Sequence, residues 1–262
     1  MKQRIIQALP AWLFIAIKKW GWYGNFPDWE SAKRRTKGYD DGLILEKVKR
    51  VLLKVKNGQA VYERDSVLFD EIEYSWEVLA GLMWIAAQNK GSLHIIDFGG
   101  SLGSTYFQNK LFLDTLESVS WHIVEQGNFV EEGIKSFEDD RLKFHYSIDE
   151  CIAKQHINCI LFSSVLQYLE KPFALLDNAF KHKIQYIIVD RTGFTKNCKT
   201  RLTVQIVPAK IYDASYPCWF FNEAELTGYF EKNGYEQIAC FQSLDRVNIP
   251  SEYKGFIFKL KQ

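Results

Sequence analysis

The chain has 262 residues, 47% of them hydrophobic, with 33 Lys and Arg against 32 Asp and Glu for a net charge of +1. That length supports one larger domain with an appendage, and the balanced charge gives no bulk field that would draw nucleic acid or an acidic partner. The five cysteines, Cys151, Cys159, Cys198, Cys218 and Cys240, show neither CxxC nor metal-ligand spacing. Metal and disulfide readings are set aside in favour of reduced thiols in a cytoplasmic protein.

In Met1 to Trp22 the apolar run Ala11 to Ile17 is too short to span a bilayer and is not followed by a signal-peptide cleavage pattern. Leu9, Trp12, Leu13, Ala16, Ile17 and Trp20 share one helical stripe flanked by lysines. Two readings fit the stripe: a helix lying peripherally on the inner face of a membrane through residues 1–20, or a helix docked on protein. Gly21 to Gly42, rich in Gly, Pro and aromatic residues, predicts an irregular entry segment that could fold over the main domain as a lid. A helix follows over Asp41 to Lys56, ending at Asn57-Gly58. Tyr62 to Asp65 reads as a charged loop, and Val67 to Gln88 as a second amphipathic helix. Residues 1–90 form a helical N-terminal extension in this reading, and residues 91–262 the main domain.

Strands are predicted at Leu93 to Asp97, Val119 to Glu125, Leu142 to Tyr146, Asn158 to Ser164 and Ile184 to Asp190, with helical periodicity between them, so they form parallel βαβ units. Arg191 to Phe221 is turn-rich, with a strand-like run at Leu202 to Val207. Asn222 and Glu225 make a capping box opening a helix that closes at Asn233-Gly234. Two last strands, Glu236 to Gln242 and Tyr253 to Leu260, pair as an antiparallel hairpin.

Ligands of an open parallel sheet sit at the carboxyl ends of its strands. There the chain places Asp97 with a glycine-rich turn, and Glu125, 22 residues past Gly103, where a carboxylate can accept both ribose hydroxyls. The dinucleotide pattern GxGxxG is absent. A common turn of S-adenosylmethionine (SAM) sites, Asp-x-Gly-x-Gly-x-Gly, matches at Asp97, Gly99 and Gly103, with Ser101 in the middle glycine position.

On these residues, and on the final helix and two strands, Leu93 to Gln262 resembles the class I SAM-dependent methyltransferases. The resemblance implies an α/β, Rossmann-like fold: a mostly parallel seven-stranded sheet with an antiparallel C-terminal strand, under a helical N-terminal cap. It also implies SAM as cofactor, with Asp97, Gly99, Gly100, Ser101 and Gly103 around its methionine end. Glu125 and Gln126 would meet the ribose, Ile148 and Asp149 would lie near adenine, and Ser163 and Ser164 would lie near the transferable methyl. A closer resemblance spans most of the chain. Trp29-Glu30, Gly38-Tyr39, Tyr62 to Ser66, Asp97 to Ser104, Tyr106 to Gln108, Val124 to Gln126, Ser163 to Leu169, Asp190 to Thr192, and Val204-Gln205 through Ile211-Tyr212 to Tyr216-Pro217 resemble a family of methyltransferase-like proteins encoded among surface-polysaccharide (O-antigen type) genes. It implies a sugar or glycan acceptor.

A hydroxyl acceptor gains from a general base. The base candidates are Asp190, Glu63 and Asp65, and the acceptor-positioning candidates are Gln167, Tyr168, Arg191, Gln205 and Tyr212. Structural alternatives stand beside each. Asp97 could cap the next helix or pair with Arg64, the glycines could serve packing alone, and Asp190 with Arg191 could be an ion pair. Tyr212, Tyr216 and Trp219 read as packing residues, and Glu63 could hold the cap or reach into the cleft. At the level of function, a methyltransferase-like scaffold and an NAD-linked enzyme of sugar metabolism remain as alternatives.

Overall fold

The computed structural model describes residues 20–38, 41–64, 66–197, 199–208, 213–243 and 247–261. The stripe at residues 1–19, and with it the membrane-surface reading, lies outside the described residues, as do Asp65 and Tyr212. Among the described residues no helix is long and apolar enough to cross a membrane. Before the main sheet come strand β1 (Gly21–Phe26), helices α1 (Trp29–Lys33) and α2 (Asp41–Lys56), the hairpin of β2 (Tyr62–Arg64) and β3 (Val67–Phe69), and helix α3 (Trp76–Gln88).

The main sheet alternates β4 (Ser92–Phe98), α4 (Ser104–Leu113), β5 (Ser118–Val124), α5 (Gly127–Ser136), β6 (Leu142–His145), α6 (Ile148–Lys154), β7 (Cys159–Ser163), α7 (Pro172–Lys181) and β8 (Tyr186–Thr195). A short 3-10 turn at Leu166–Tyr168 stands between β7 and α7. β9 (Arg201–Ile206), β10 (Ser215–Phe220), α8 (Glu223–Lys232), β11 (Tyr235–Gln242) and β12 (Ser251–Leu260) complete the chain. The seven strands lie in the order β11-β12-β8-β7-β4-β5-β6. β12 runs antiparallel to both its neighbours, and the pairings from β8 to β6 are parallel.

Apolar runs made these strands because both faces of the sheet are covered, as parallel sheets require. Leu93, Ile95, Trp121 and Ile123 pack with residues of α2 to α5 on one face. Ile96, Val124, Ile160 and Ile187 pack with α6, α7 and α8 on the other. Local signals set the helix ends: Ser147 caps α6 by accepting from Glu150 N, and Asn222 caps α8 by accepting from Glu225 N.

Three expectations need correction. The described part of the entry segment, residues 21–38, is not irregular: β1 pairs with β9, which pairs with β10, in a separate antiparallel three-stranded sheet, and α1 packs Ala32 against Leu202 and Val204. The described residues of the segment Arg191 to Phe221 are thus mostly strand, and the partner β1 is too distant in sequence for periodicity to reveal it. The helix expected from Val67 begins at Trp76, because Val67–Phe69 pairs with Tyr62–Arg64, so Glu63 sits on a strand and not on a loop.

Candidate functional site

A cleft of about 420 Å³ opens at the carboxyl ends of β4, β7 and β8. Asp97, Gly99, Gly100 and Ser101 line one side, and Ser163, Ser164, Tyr168, Asp190 and Arg191 the other. The β2–β3 hairpin contributes Glu63, Arg64 and Ser66 to the opposite wall, and the small sheet contributes Trp22, Gln205 and Tyr216. The volume lies within the range of small-molecule sites.

The backbone around this cleft is strained. Six described non-glycine residues have left-handed φ: Ser66, Lys90, Ser101, Ser164, Lys183 and Arg191. Four of them, Ser66, Ser101, Ser164 and Arg191, line the cleft. Each such residue costs about 1–2 kcal/mol, and strain held in this way gathers at functional sites. Ser101, with φ 55°, adopts the conformation that a glycine at that place in the turn would supply. The turn therefore keeps its shape despite the serine.

Asp97 is 1% exposed. Its Oδ2 accepts from Trp121 Nε1 at 3.1 Å. Burial raises its carboxyl to about 7, against the lowering effect of the Trp121 bond, and the negative charge of Glu125 adds to the rise. The two structural alternatives for Asp97 fail. Helix α4 starts at Gly103 with no side-chain cap, and Arg64 pairs with Glu73 at 2.7 Å. Gly100 is needed here, since a Cβ on it would stand 2.6 Å from Asp97 Cγ.

The register pairs Ser163 with Asp190 across β7 and β8. Asp190, 2% exposed, accepts from Ser163 Oγ at 3.1 Å and from Ser243 Oγ at 2.9 Å. Burial is the main cause of its raised pKa, opposed by the Arg191 charge and these hydrogen bonds. Gln167 is fully buried and donates to the Arg191 carbonyl at 2.9 Å, so it braces the left-handed turn and is absent from the cleft lining. Tyr168 lies edge-on to Tyr216 with ring centroids 5.1 Å apart. Tyr216 thus belongs to the cleft, whereas Trp219 packs on Trp29 and donates to Leu169 O.

Glu63 does both things expected of it. It lines the cleft, and its carboxylate accepts from Ser66 N at 2.6 Å and from Ser104 Oγ at 2.5 Å, which joins the hairpin to the start of α4.

The predicted adenine side is arranged differently. Glu125, Gln126, Ile148 and Asp149 are not in the cleft lining, and neither is Gly103, the N-cap of α4. Glu125 directly follows β5, and its Oε2 accepts from Gln126 N at 2.7 Å. Ile148 is buried in the core. Asp149 accepts from Asn178 at 2.9 Å and contacts His182 Nε2 at 2.7 Å, both on the α7 side, and these hydrogen bonds hold its carboxyl below the usual range.

Sequence reasoning missed Trp22, Ser66, Asn109 and Ser243. Asn109 Oδ1 and Gln205 Oε1 are buried without a hydrogen-bond partner among the described residues, and both residues line the cleft. Two bare acceptors in one cleft suit a ligand that brings N–H or O–H donors.

No protein-family description matches the chain, and no curated protein matches it. Solved structures do. The N-terminal domain of EvdMO1 with SAH bound is similar over 86% of this chain and 98% of that one, at 13% identity and a TM-score of 0.50. A SAM-dependent methyltransferase from Clostridium acetobutylicum ATCC 824 is similar over 72% and 93%, at 9% identity and 0.48. Magnesium protoporphyrin IX methyltransferase (ChlM) from Synechocystis PCC 6803, with SAM bound, is similar over 86% and 99%, at 12% identity and 0.46. The strand order with its single antiparallel member β12, together with the likeness to the EvdMO1 domain, gives the chain the fold of the class I SAM-dependent methyltransferases.

Proposed function

We propose that the protein is a SAM-dependent methyltransferase acting on a sugar or glycan intermediate of cell-surface polysaccharide biosynthesis, in the cytoplasm. The carrying observation is Asp97, a buried carboxylate at the cleft floor with one indole donor and, among the charges that shift it, only the negative Glu125. A buried charge of this kind calls for a cation, and the ammonium of a bound amino-acid-like cofactor supplies one. The close approach of Gly100 to Asp97 and the orphaned Asn109 amide oxygen fit the same cofactor. When bound, SAM brings an already activated methyl group.

In this reading Gly99, Gly100 and Ser101 cradle the methionine end, with Gly103 starting α4 behind them. Glu125, with Gln126, holds the ribose, and Ile148 packs below the adenine. Ser163 and Ser164 line the path to the acceptor. Asp190 stands to accept the proton of the acceptor's hydroxyl, and burial raises its pKa above the ordinary carboxylate value, the direction that makes it a stronger base. Ser163 and Ser243 orient the carboxyl group, and Gln167 with Arg191 fixes the turn beside it. Trp22, Tyr168 and Tyr216 offer aromatic faces to a ring-shaped acceptor, and Gln205 an amide oxygen to its hydroxyls. Support for the glycan comes from the resemblance of the blocks Asp97 to Ser104, Ser163 to Leu169 and Asp190 to Thr192 to proteins of surface-polysaccharide gene clusters. Residues 1–90 act as the cap that closes this cleft.

The test is methyl transfer from labelled SAM to nucleotide-linked or lipid-linked sugars, with mass spectrometry of any co-purified ligand. A methylated sugar and bound S-adenosylhomocysteine are expected. A co-purified nicotinamide dinucleotide, or SAM bound without transfer to any hydroxylated glycan, would overturn the assignment.

A further inference from the structure

We propose that His122, His145 and Cys151 form a binding site for a single borderline transition-metal ion of the zinc class, separate from the cleft. The three residues stand on β5, β6 and α6, and all are buried, at 1%, 7% and 0% exposure. Their ligand atoms lie within 4.8 Å of one another.

His122 Nδ1 and His145 Nε2 are 3.0 Å apart and share a hydrogen. The ring's other nitrogen, His122 Nε2, is also buried and has no hydrogen-bond partner among the described residues. A pair kept for packing alone would be served better by apolar side chains. Zinc–nitrogen and zinc–sulfur bonds of about 2.0 and 2.3 Å place tetrahedral ligand atoms roughly 3.3–3.5 Å apart. The imidazoles need to part by a few tenths of an ångström, and Cys151 Sγ, within 4.8 Å of both ligand nitrogens, has to close the remaining distance.

Two imidazoles and a thiolate suit Zn²⁺ or Co²⁺ and not Mg²⁺ or Ca²⁺, which take oxygen ligands. On binding, the hydrogen between the rings moves to the other nitrogen of the imidazole that carried it, the thiol proton leaves for solvent, and the lone pairs of both nitrogens and the sulfur go to the metal. The ion would clamp β6, a four-residue strand at the edge of the sheet, to β5 and α6.

The test is titration of the reduced, chelator-treated full chain with Co²⁺, without oxygen, followed by absorbance. The expected result is one equivalent bound, with a thiolate-to-cobalt charge-transfer band that Zn²⁺ displaces. Cys151→Ser should lose the charge-transfer band and weaken binding by more than about 100-fold, given that outer-shell partners alone are worth about 10–100-fold. Zn²⁺ should raise the melting temperature of the wild type and leave that of Cys151→Ser unchanged. Cys240→Ser, which removes an exposed free thiol, should behave as wild type. A folded wild type without the thiolate band, or a band that survives in Cys151→Ser, overturns the site.

Discussion

Asp97 and Asp149 are both aspartates beside the carboxyl end of a parallel strand, and the protein treats them in opposite ways. Asp149 is half exposed, and its oxygens are taken up by Asn178 and His182. Asp97 is buried at the floor of the cleft with a single indole donor. The first has its interactions supplied by the chain itself, so little capacity remains for a ligand. The second carries a desolvation cost that a proton or an incoming cation relieves. The same division runs through the site as a whole. The β4, β7 and β8 end also holds three of the left-handed residues, Ser101, Ser164 and Arg191, whereas the β5 and β6 side holds none.

The largest effect that would sharpen this contrast is expected at Asp190. Asp190→Asn should lower kcat by about 10²–10⁴ while cofactor affinity, read by calorimetry, stays within a few-fold. Equal loss in kcat and in affinity would move Asp190 out of the base role. Next, Glu125→Ala should weaken the cofactor by roughly 10–100-fold, the value of one hydrogen bond to a charged group. A smaller effect is expected at Ser101→Gly. Relief of the left-handed serine should raise unfolding free energy by about 1 kcal/mol, measurable in a urea titration, and a destabilised variant would show that the serine side chain earns its conformation. The smallest is Asp149→Asn, for which cofactor affinity should hold. A loss matching that of Glu125→Ala would break the contrast between the two aspartates.

Much of the cofactor end was legible because its chemistry is local. Leu93 to Gly103 carries strand, acid and turn in eleven consecutive residues, so periodicity and the glycines locate Asp97 without knowledge of the rest. Glu125, Ser163 and Asp190 follow from the same rule applied to later strands. The opposite wall was not legible. Trp22 reaches the cleft because β1 pairs with β9, and Ser243 reaches Asp190 from the end of β11, through pairings that no local signal encodes. The histidine and cysteine cluster was hidden in the same way. Cys151 lacks any CxxC spacing, and only the sheet brings it to His122 and His145. Val67–Phe69 misled because three apolar residues before a helix continue its pattern, while the partner strand overrides it.

The central claim is that Asp97 is the ligand-binding charge. Its folded-state value, about 7 against an ordinary 3.8, fixes two opposite pH trends. Between those values the folded chain holds a proton that the unfolded chain has released, so the stability of the free protein falls as pH rises through that window. Cofactor affinity should climb as Asp97 ionises, because the carboxylate is what receives the ammonium. The direct measurement is calorimetric binding of S-adenosylhomocysteine between pH 6 and pH 8, for the wild type and for Asp97→Asn. The account predicts one site per chain, tighter binding as pH rises through about 7, and a loss on the order of 100-fold with no remaining pH trend in the variant. Binding that is absent in the wild type, or unchanged in Asp97→Asn, would contradict it.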